Sequence, residues 1–430
     1  MMTAAIFAVL FLFILLGLPI AVCMGFTAVI FFVVLGQTDV LLMLPARMYS
    51  GTTSFTLLAI PFFILAGNLM NTGGMTQRLV HFAQCLVGHI RGGLGHVTVV
   101  TNMVMAGMSG SAVADATGTG VVLIPAMEKA GYPRAFSAAL VGAASTIGPI
   151  IPPSIPFVIF GSITGTSVGR LFLGGFLPGV LMGLFLMITV AILSKRRGYR
   201  REQRATRREL LIAALQATPA WGAPIIIIGG ILAGVFTPTE AAVAASLYAL
   251  IVGMLVYGEI TVADLPRILW ETIQNTIQVM FIIAAAGIFG FLLIRQQVPM
   301  TLVEGLMSLT TTPWVVLLII NVILLTLGCF MEAIAVMLLT IPVFMPLIAR
   351  VGIDPVHFGV LLTLNLMIGL ITPPVGMCLY AVSSVSKVPL WPLAKELWPY
   401  IVALMVCLGL VTYVPGLVLW IPNLVMGVAR

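Results

Sequence analysis

Charge is scarce in this chain: Lys, Arg, Asp and Glu make up 8% of its 430 residues, against roughly 25% in a soluble globular protein. With 61% hydrophobic residues, that shortage excludes a soluble fold and identifies an integral membrane protein. Short alternating apolar segments are missing too, so a β-barrel is excluded and apolar runs of about 20 residues argue for helices. The start, Met1 to Cys23, has no basic region and runs straight into more apolar sequence. It reads as a retained helix, not a cleaved signal peptide, and Leu18–Cys23 is no lipid-attachment site for the same reason. Cys23, Cys85, Cys329, Cys378 and Cys407 are an odd set without paired spacing, hence small apolar side chains and not a disulfide frame. His81, His89, His96 and His357 lack metal-ligand spacing and fall near segment ends, which points to interfacial anchoring. No phosphate-binding glycine loop ends in Lys-Ser or Lys-Thr, so the chain hydrolyses no ATP and needs an ion gradient or another subunit for energy.

What is present is a repeat. Ile147-Gly148-Pro149-Ile150-Ile151-Pro152-Pro153-Ser154 returns as Ile368-Gly369-Leu370-Ile371-Thr372-Pro373-Pro374-Val375, a shift of 221 residues (368 − 147). The same shift carries Gly107 onto Gly328, Pro125 onto Pro346, Gly131 onto Gly352 and Pro178 onto Pro399. Two hydrophobic halves, each interrupted at Gly-Pro and Pro-Pro, follow the pattern of secondary transporters, whose broken helices expose backbone groups near the bilayer midplane.

The excess positive charge is concentrated in Lys195, Arg196, Arg197, Arg200, Arg201, Arg204, Arg207 and Arg208. A run at helix ends anchors topology and marks the loop as cytoplasmic; nucleic acid is not its partner. Counting outward from it, 92–130 enters and leaves on one side, with apolar limbs of about 14 residues, roughly 21 Å and too short to span. It reads as a re-entrant hairpin, and 313–350 as its counterpart opening from the opposite side. Five crossings separate the hairpins, an odd number, so the repeats are inverted. The expected organisation is all-α and polytopic: a first repeat over 1–194 (hairpin 92–130, broken helix 134–164), a basic loop over 195–209, and a second repeat over 210–430 (hairpin 313–350, broken helix 356–384). Thr76–His89 and Met300–Leu309 are candidates for interfacial helices or loops. Ala4–Leu35 exceeds one span and contains Pro19; matching Gly17-Leu18-Pro19 to Phe236-Thr237-Pro238 favours a single kinked helix. Gly174, Gly175, Gly229 and Gly230 suit close helix contacts.

Binding chemistry is expected at the breaks. Pro149, Pro152 and Pro153 lack N–H groups and leave carbonyls without intrahelical partners, and such carbonyls are good sodium ligands. Thr372-Pro373-Pro374 repeats the device with a hydroxyl. The hairpin tips supply the facing side: Ser109, Gly110 and Ser111 in one half, Gly328 to Glu332 in the other. Half-helix N-termini aimed between them favour an anionic substrate. Asp115 and Glu332 need compensation in a membrane segment, where a central carboxylate costs on the order of 3 kcal/mol. Each reads equally as a helix cap or as support for an ion site. Glu240 is explained by an N-terminal cap with Thr237 or Thr239 and lies outside the site.

Gly107 to Ala116, Ile151-Pro152-Pro153-Ser154, Phe236 to Ala242 and Ile371 to Gly376 together resemble the signatures of the large membrane subunit of tripartite ATP-independent periplasmic (TRAP) transporters. The resemblance runs over essentially the whole chain. It implies a bacterial or archaeal inner-membrane protein that works with a small membrane subunit and a periplasmic binding protein delivering an organic anion, typically a carboxylate. It implies an elevator-type transport domain moving against a scaffold, with no cofactor other than sodium as coupling ion. Sodium sites carried over from the resemblance fall between tip and break: Ser109, Ser111, Gly148 and Pro149 in one half, Gly328, Gly369, Thr372 and Pro373 in the other. Gly110, Asp115, Pro152, Pro153, Ser154, Glu332 and Pro374 support the cleft. Since the chain begins just before its first apolar segment, the small subunit is expected to be a separate protein. A stand-alone sodium- or proton-coupled carboxylate symporter, needing no binding protein, is the alternative.

Overall fold

A computed structural model describes residues 2–199 and 204–427; of 107–109 and 309 it describes the backbone alone. All regular structure among the described residues is helical, and seven helices there are long and apolar enough to cross a membrane. The first half comprises α1 (Met2–Leu15), α2 (Ile20–Val34), α3 (Leu44–Thr52), α4 (Ala59–Thr72), α5 (Met75–Val87), α6 (Gly93–Ser109), α7 (Ala112–Lys129), α8 (Arg134–Ser145), α9 (Ile155–Thr164) and α10 (Val168–Arg197). The second comprises α11 (Arg207–Leu232), α12 (Pro238–Ile251), α13 (Leu265–Arg295), α14 (Val298–Leu309), α15 (Pro313–Gly328), α16 (Ala333–Val351), α17 (Pro355–Gly369), α18 (Met377–Ser386), α19 (Leu390–Tyr413) and α20 (Gly416–Met426).

The shift of 221 seen in sequence recurs in helix starts: α7 and α16 begin at Ala112 and Ala333 (333 − 112), α8 and α17 at Arg134 and Pro355 (355 − 134). Packing obeys the same relation and interlocks the halves. Helix α12 lies on α4 as α13 lies on α2, and α18 lies on α7 as α9 lies on α16. Each broken helix therefore sends its second segment to the hairpin of the other half. Such swapped contacts make the repeats one body, because neither half buries its apolar faces without the other.

Three expectations change. The first apolar stretch forms two helices, not one kinked helix: Gly17 turns left-handed at φ 81° and Pro19 starts α2. The match to Phe236-Thr237-Pro238 was a match between two helix boundaries, since Gly234 also turns left-handed and Thr237 caps α12. The hairpin arms are longer than about 14 residues, running 17 in α6 and 18 in α7, or roughly 26 Å each. Helix α6 runs on through Gly107 to Ser109, and α7 continues past Pro125 to Lys129.

Histidines are the third change. His96 and His357 lie in the first turns of α6 and α17, near segment ends as expected, but are buried against the protein and not exposed. His357 Nε2 donates to the Val411 carbonyl at 2.8 Å. That carbonyl lies in the last turn of α19, which ends at Tyr413, and so lacks an intrahelical partner that the imidazole supplies. Gly174, Gly175 and Gly230 do sit against neighbouring side chains, but nothing lies near a side chain added at Gly229. Glu240 forms the expected capping box, accepting from Thr237 N at 2.8 Å while its own N–H donates to the Thr237 hydroxyl at 3.3 Å.

Candidate functional site

Helix α8 ends in a run of tight turns. Gly148 N–H donates to Ser145 O at 3.1 Å and Ile150 N–H to Ile147 O at 3.0 Å, while Pro149, Pro152 and Pro153 donate nothing. Ser154 closes this first break from its far side. Its hydroxyl donates to the Pro149 carbonyl and accepts from Phe157 N–H at 3.3 Å, capping α9. One lone pair of the Pro149 carbonyl is thereby committed.

The second break uses the same frame with different capping. Thr372 N–H donates to Gly369 O at 3.0 Å, and its hydroxyl donates to Ile368 O at 2.7 Å. Being a donor there, that hydroxyl keeps its oxygen lone pairs available as a ligand. Both breaks contain a cis peptide, at Pro152-Pro153 and Pro373-Pro374. Where the first has Ser154, the second has Val375 (154 + 221). The chain is tied instead by Gly376 N–H donating to Cys329 O of the hairpin tip at 3.0 Å. Gly376 is left-handed at φ 59°, as that turn requires.

Each hairpin tip packs on a break. At the first, Gly110 turns left-handed at φ 59°, and a methyl group there would lie 3.2 Å from Ile155 N and 3.3 Å from Pro153 O. Ser111 caps α7 by accepting from Ala114 N–H at 3.4 Å. The Ser109 side chain lies outside the described residues. At the second tip Gly328 and Gly369 meet backbone to backbone: a methyl on Gly369 would sit 2.7 Å from Gly328 Cα. Glu332 stands at the position of Ser111 (332 − 221) and has the same job, capping α16 by accepting from Ala335 N–H at 3.1 Å. Asp115 does something else. It is buried, is not the cap of α7, and its carboxylate oxygen lies against Gly148 at the first break. Its counterpart is Val336 (115 + 221), so the two junctions match in backbone and differ in charge placement.

Both junctions border one cavity of about 470 Å3. The first turns of α7 and α16 line it, with Pro149 and Leu370 from the breaks. Four helix N-termini thus border a common space, those of α7 and α16 with those of α9 (Ile155, Pro156) and α18 (Met377), each contributing partial positive charge. Further lining comes from α4 and α13, which contribute Asn68, Asn71, Asn275 and Gln278 among Ile64, Gly67, Val279 and Ile282. Asn68 Nδ2 donates to Thr272 Oγ1 at 3.0 Å and Asn71 Oδ1 accepts from Thr76 at 2.7 Å. Sequence reasoning passed over these four amides. Their signal was present for Asn68 and Asn71, an i, i+3 pair in the largely apolar α4, whereas Asn275 and Gln278 lie in a polar stretch of α13 with Glu271, Thr272, Gln274 and Thr276.

Interlocked helical repeats, with paired hairpins and discontinuous helices around a shared cavity, define a polytopic membrane transporter. From residue 7 to 417 the chain matches the family described as "Tripartite ATP-independent periplasmic transporter, DctM component". It is 44% identical over 395 residues to the sialic acid TRAP transporter large permease protein SiaM of Vibrio cholerae, covering 92% of both chains. Identity to the C4-dicarboxylate TRAP transporter large permease protein DctM of Pseudomonas aeruginosa is 41% over 383 residues, covering 89% of both. The fold is shared with the YdaH transporter of Alcanivorax borkumensis, at a TM-score of 0.64, 15% identity and 89% coverage of each chain. The chain belongs to the DctM component family of TRAP transporters and is a multi-pass inner-membrane protein.

Proposed function

We propose that this chain is the large membrane subunit of a sodium-coupled importer of an organic acid, fed by a periplasmic binding protein and assembled with a separate small membrane subunit. The two relatives above are named for sialic acid and C4-dicarboxylate, both carboxylic acids. The observation that carries the reading is that two symmetry-related junctions of tip and break open on a single cavity. Repeats are assigned to 1–194 and 210–430, joined by the cytoplasmic loop 195–209. One sodium ion draws on Ser109, Ser111, Gly148 and Pro149, the other on Gly328, Gly369, Thr372 and Pro373, with Asp115 beside the first.

In this mechanism the acid enters the cavity with its carboxylate toward the N-termini of α7 and α16. Sodium at the junctions fixes the tips against the breaks and adds positive charge behind those turns. The hairpins and broken helices then move together as an elevator against a scaffold that includes α2, α4, α12 and α13. Coupling follows when sodium and acid stabilise the same moving state, so that neither alone favours the displacement.

Two experiments test this. Proteoliposomes holding the chain with its small subunit are expected to take up the acid only when the binding protein is present; uptake without it would identify a stand-alone symporter. Ser109→Ala and Thr372→Ala are each expected to remove sodium-dependent uptake while leaving membrane insertion normal. Unchanged sodium dependence in both would reject the proposed ligands.

A further inference from the structure

A second cavity, of about 550 Å3, lies away from the tips, between α5, α11 and the chain that leaves α12. Helix α11 runs away from the basic loop and α12 runs back, so the end of α12 brings this cavity to the loop's side of the membrane. Its walls are tied to one another. Tyr257 Oη donates to Gln216 O of α11 at 2.8 Å. The Arg78 guanidinium of α5 lies over the Tyr257 ring, 3.9 Å from its centroid, and donates to Gly74 O at 2.9 Å and to Glu259 Oε1 at 3.3 Å. Those two bonds leave arginine with further N–H groups and the carboxylate with further lone pairs. Gln77 and His81 border the same cavity from α5 and add N–H donors beside Arg78. A held cation thus stands next to a held anion, and Leu215 and Val256 are exposed in the same lining.

We infer that this cavity binds an ethanolamine phosphate carried on a lipid, phosphatidylethanolamine, with the phosphate on Arg78 and the ammonium on Glu259. Basic pockets between membrane helices hold lipid phosphates, and arginine does so through paired N–H groups. Glu259 then decides which phosphate. An ethanolamine ammonium offers the carboxylate charge and N–H donors together, whereas the quaternary amine of phosphatidylcholine has no N–H and the glycerol of phosphatidylglycerol has no charge. An anionic headgroup would satisfy Arg78 and leave Glu259 facing a like charge. Leu215 and Val256 give the acyl chains an apolar surface to lie on. A soluble ester of the same polar chemistry gains nothing from them. Helix α5 joins α4 to the hairpin arm α6 and packs on both α6 and α11. A lipid seated here braces that link against α11, at a distance from the ion and acid sites.

The test is thermal stabilisation of the purified complex of this chain with its small subunit, stripped of lipid in detergent and given back one lipid at a time. The probes are dioleoyl phosphatidylethanolamine, phosphatidylcholine and phosphatidylglycerol, with soluble glycerophosphoethanolamine as a fourth. Phosphatidylethanolamine is expected to raise the melting temperature at a concentration tenfold or more below that of either other lipid, and glycerophosphoethanolamine to leave it unchanged at that concentration. Glu259→Gln and Arg78→Ala are each expected to abolish the preference. Either of the other lipids acting at the same concentration as phosphatidylethanolamine, or a preference that survives in Glu259→Gln, would overturn the inference. Glycerophosphoethanolamine acting as strongly as the lipid would overturn the lipid source and give the cavity to a soluble phosphate ester. Glu259 is exposed, so its glutamine variant decides the matter even if Arg78→Ala fails to fold. The readout uses neither a sodium gradient nor an acid, so sodium-coupled transport stands or falls separately.

Discussion

Replacing Gly369 with alanine is expected to cut sodium-driven uptake to a tenth or less, with the protein still inserted in the membrane. The added methyl would lie 2.7 Å from both Gly328 Cα and its carbonyl carbon and 3.0 Å from its oxygen. Those atoms are backbone and cannot rotate away, so the second tip must lift from its break. Overpacking of this kind costs typically 1–3 kcal/mol, and each 1.4 kcal/mol is a factor of ten in an equilibrium. The closed junction would become a minor state, and with it the sodium site proposed between Gly328, Gly369, Thr372 and Pro373. Uptake measured against sodium concentration checks this. A half-saturation raised at least tenfold is expected; a wild-type curve would show that the contact between the two glycines does not form the site.

Asp115→Asn is the second large effect, and it acts at the other junction. Asp115 is 1% exposed and its carboxylate lies against Gly148, where the first helix breaks. Asparagine keeps the shape and removes the charge beside the proposed cation. Sodium at a hundred times its Kd stabilises a protein by about 2.7 kcal/mol, and a hundredfold weaker site at the same concentration leaves only ~0.4 kcal/mol. Sodium-dependent thermal stabilisation is expected to fall accordingly, whereas stabilisation equal to wild type would make Asp115 a packing residue. Gly148→Ala pushes on the same carboxylate from the opposite side and is expected to have the same sign. Glu332→Ser provides the contrast, since serine is the residue at the equivalent cap in the first half and preserves the capping of α16.

The features legible in sequence are those that a residue carries by itself. Proline has no N–H wherever it stands, so Pro149, Pro152, Pro153, Pro373 and Pro374 announce breaks without any knowledge of their neighbours. The shift of 221 converts one such break into a pair, and the pair into interlocked halves. What escaped depends on the facing element. His357 looks like a surface anchor until the end of α19, 54 positions on (411 − 357), brings it the unpaired Val411 carbonyl. Gly17 and Pro19 look like a kink until the chain turns left-handed at the first and restarts at the second. Asp115 and Glu332 look alike in sequence, yet one lies against a break and the other caps a helix, because a shift of 221 pairs Glu332 with Ser111 and Asp115 with Val336. The four amides of α4 and α13 have no amide counterpart under the shift, so the symmetry that revealed the tips could not reveal them.

The most direct measurement of the central claim is acid uptake by the reconstituted complex of this chain, its small subunit and the binding protein, with external sodium titrated against potassium at constant ionic strength and pH. Two junctions feeding one cavity predict uptake that is absent in potassium, rises with sodium more steeply than one site allows, and loses that steepness in Gly369→Ala and in Asp115→Asn. Uptake that proceeds equally in potassium, or follows a proton gradient with no response to sodium, would contradict it.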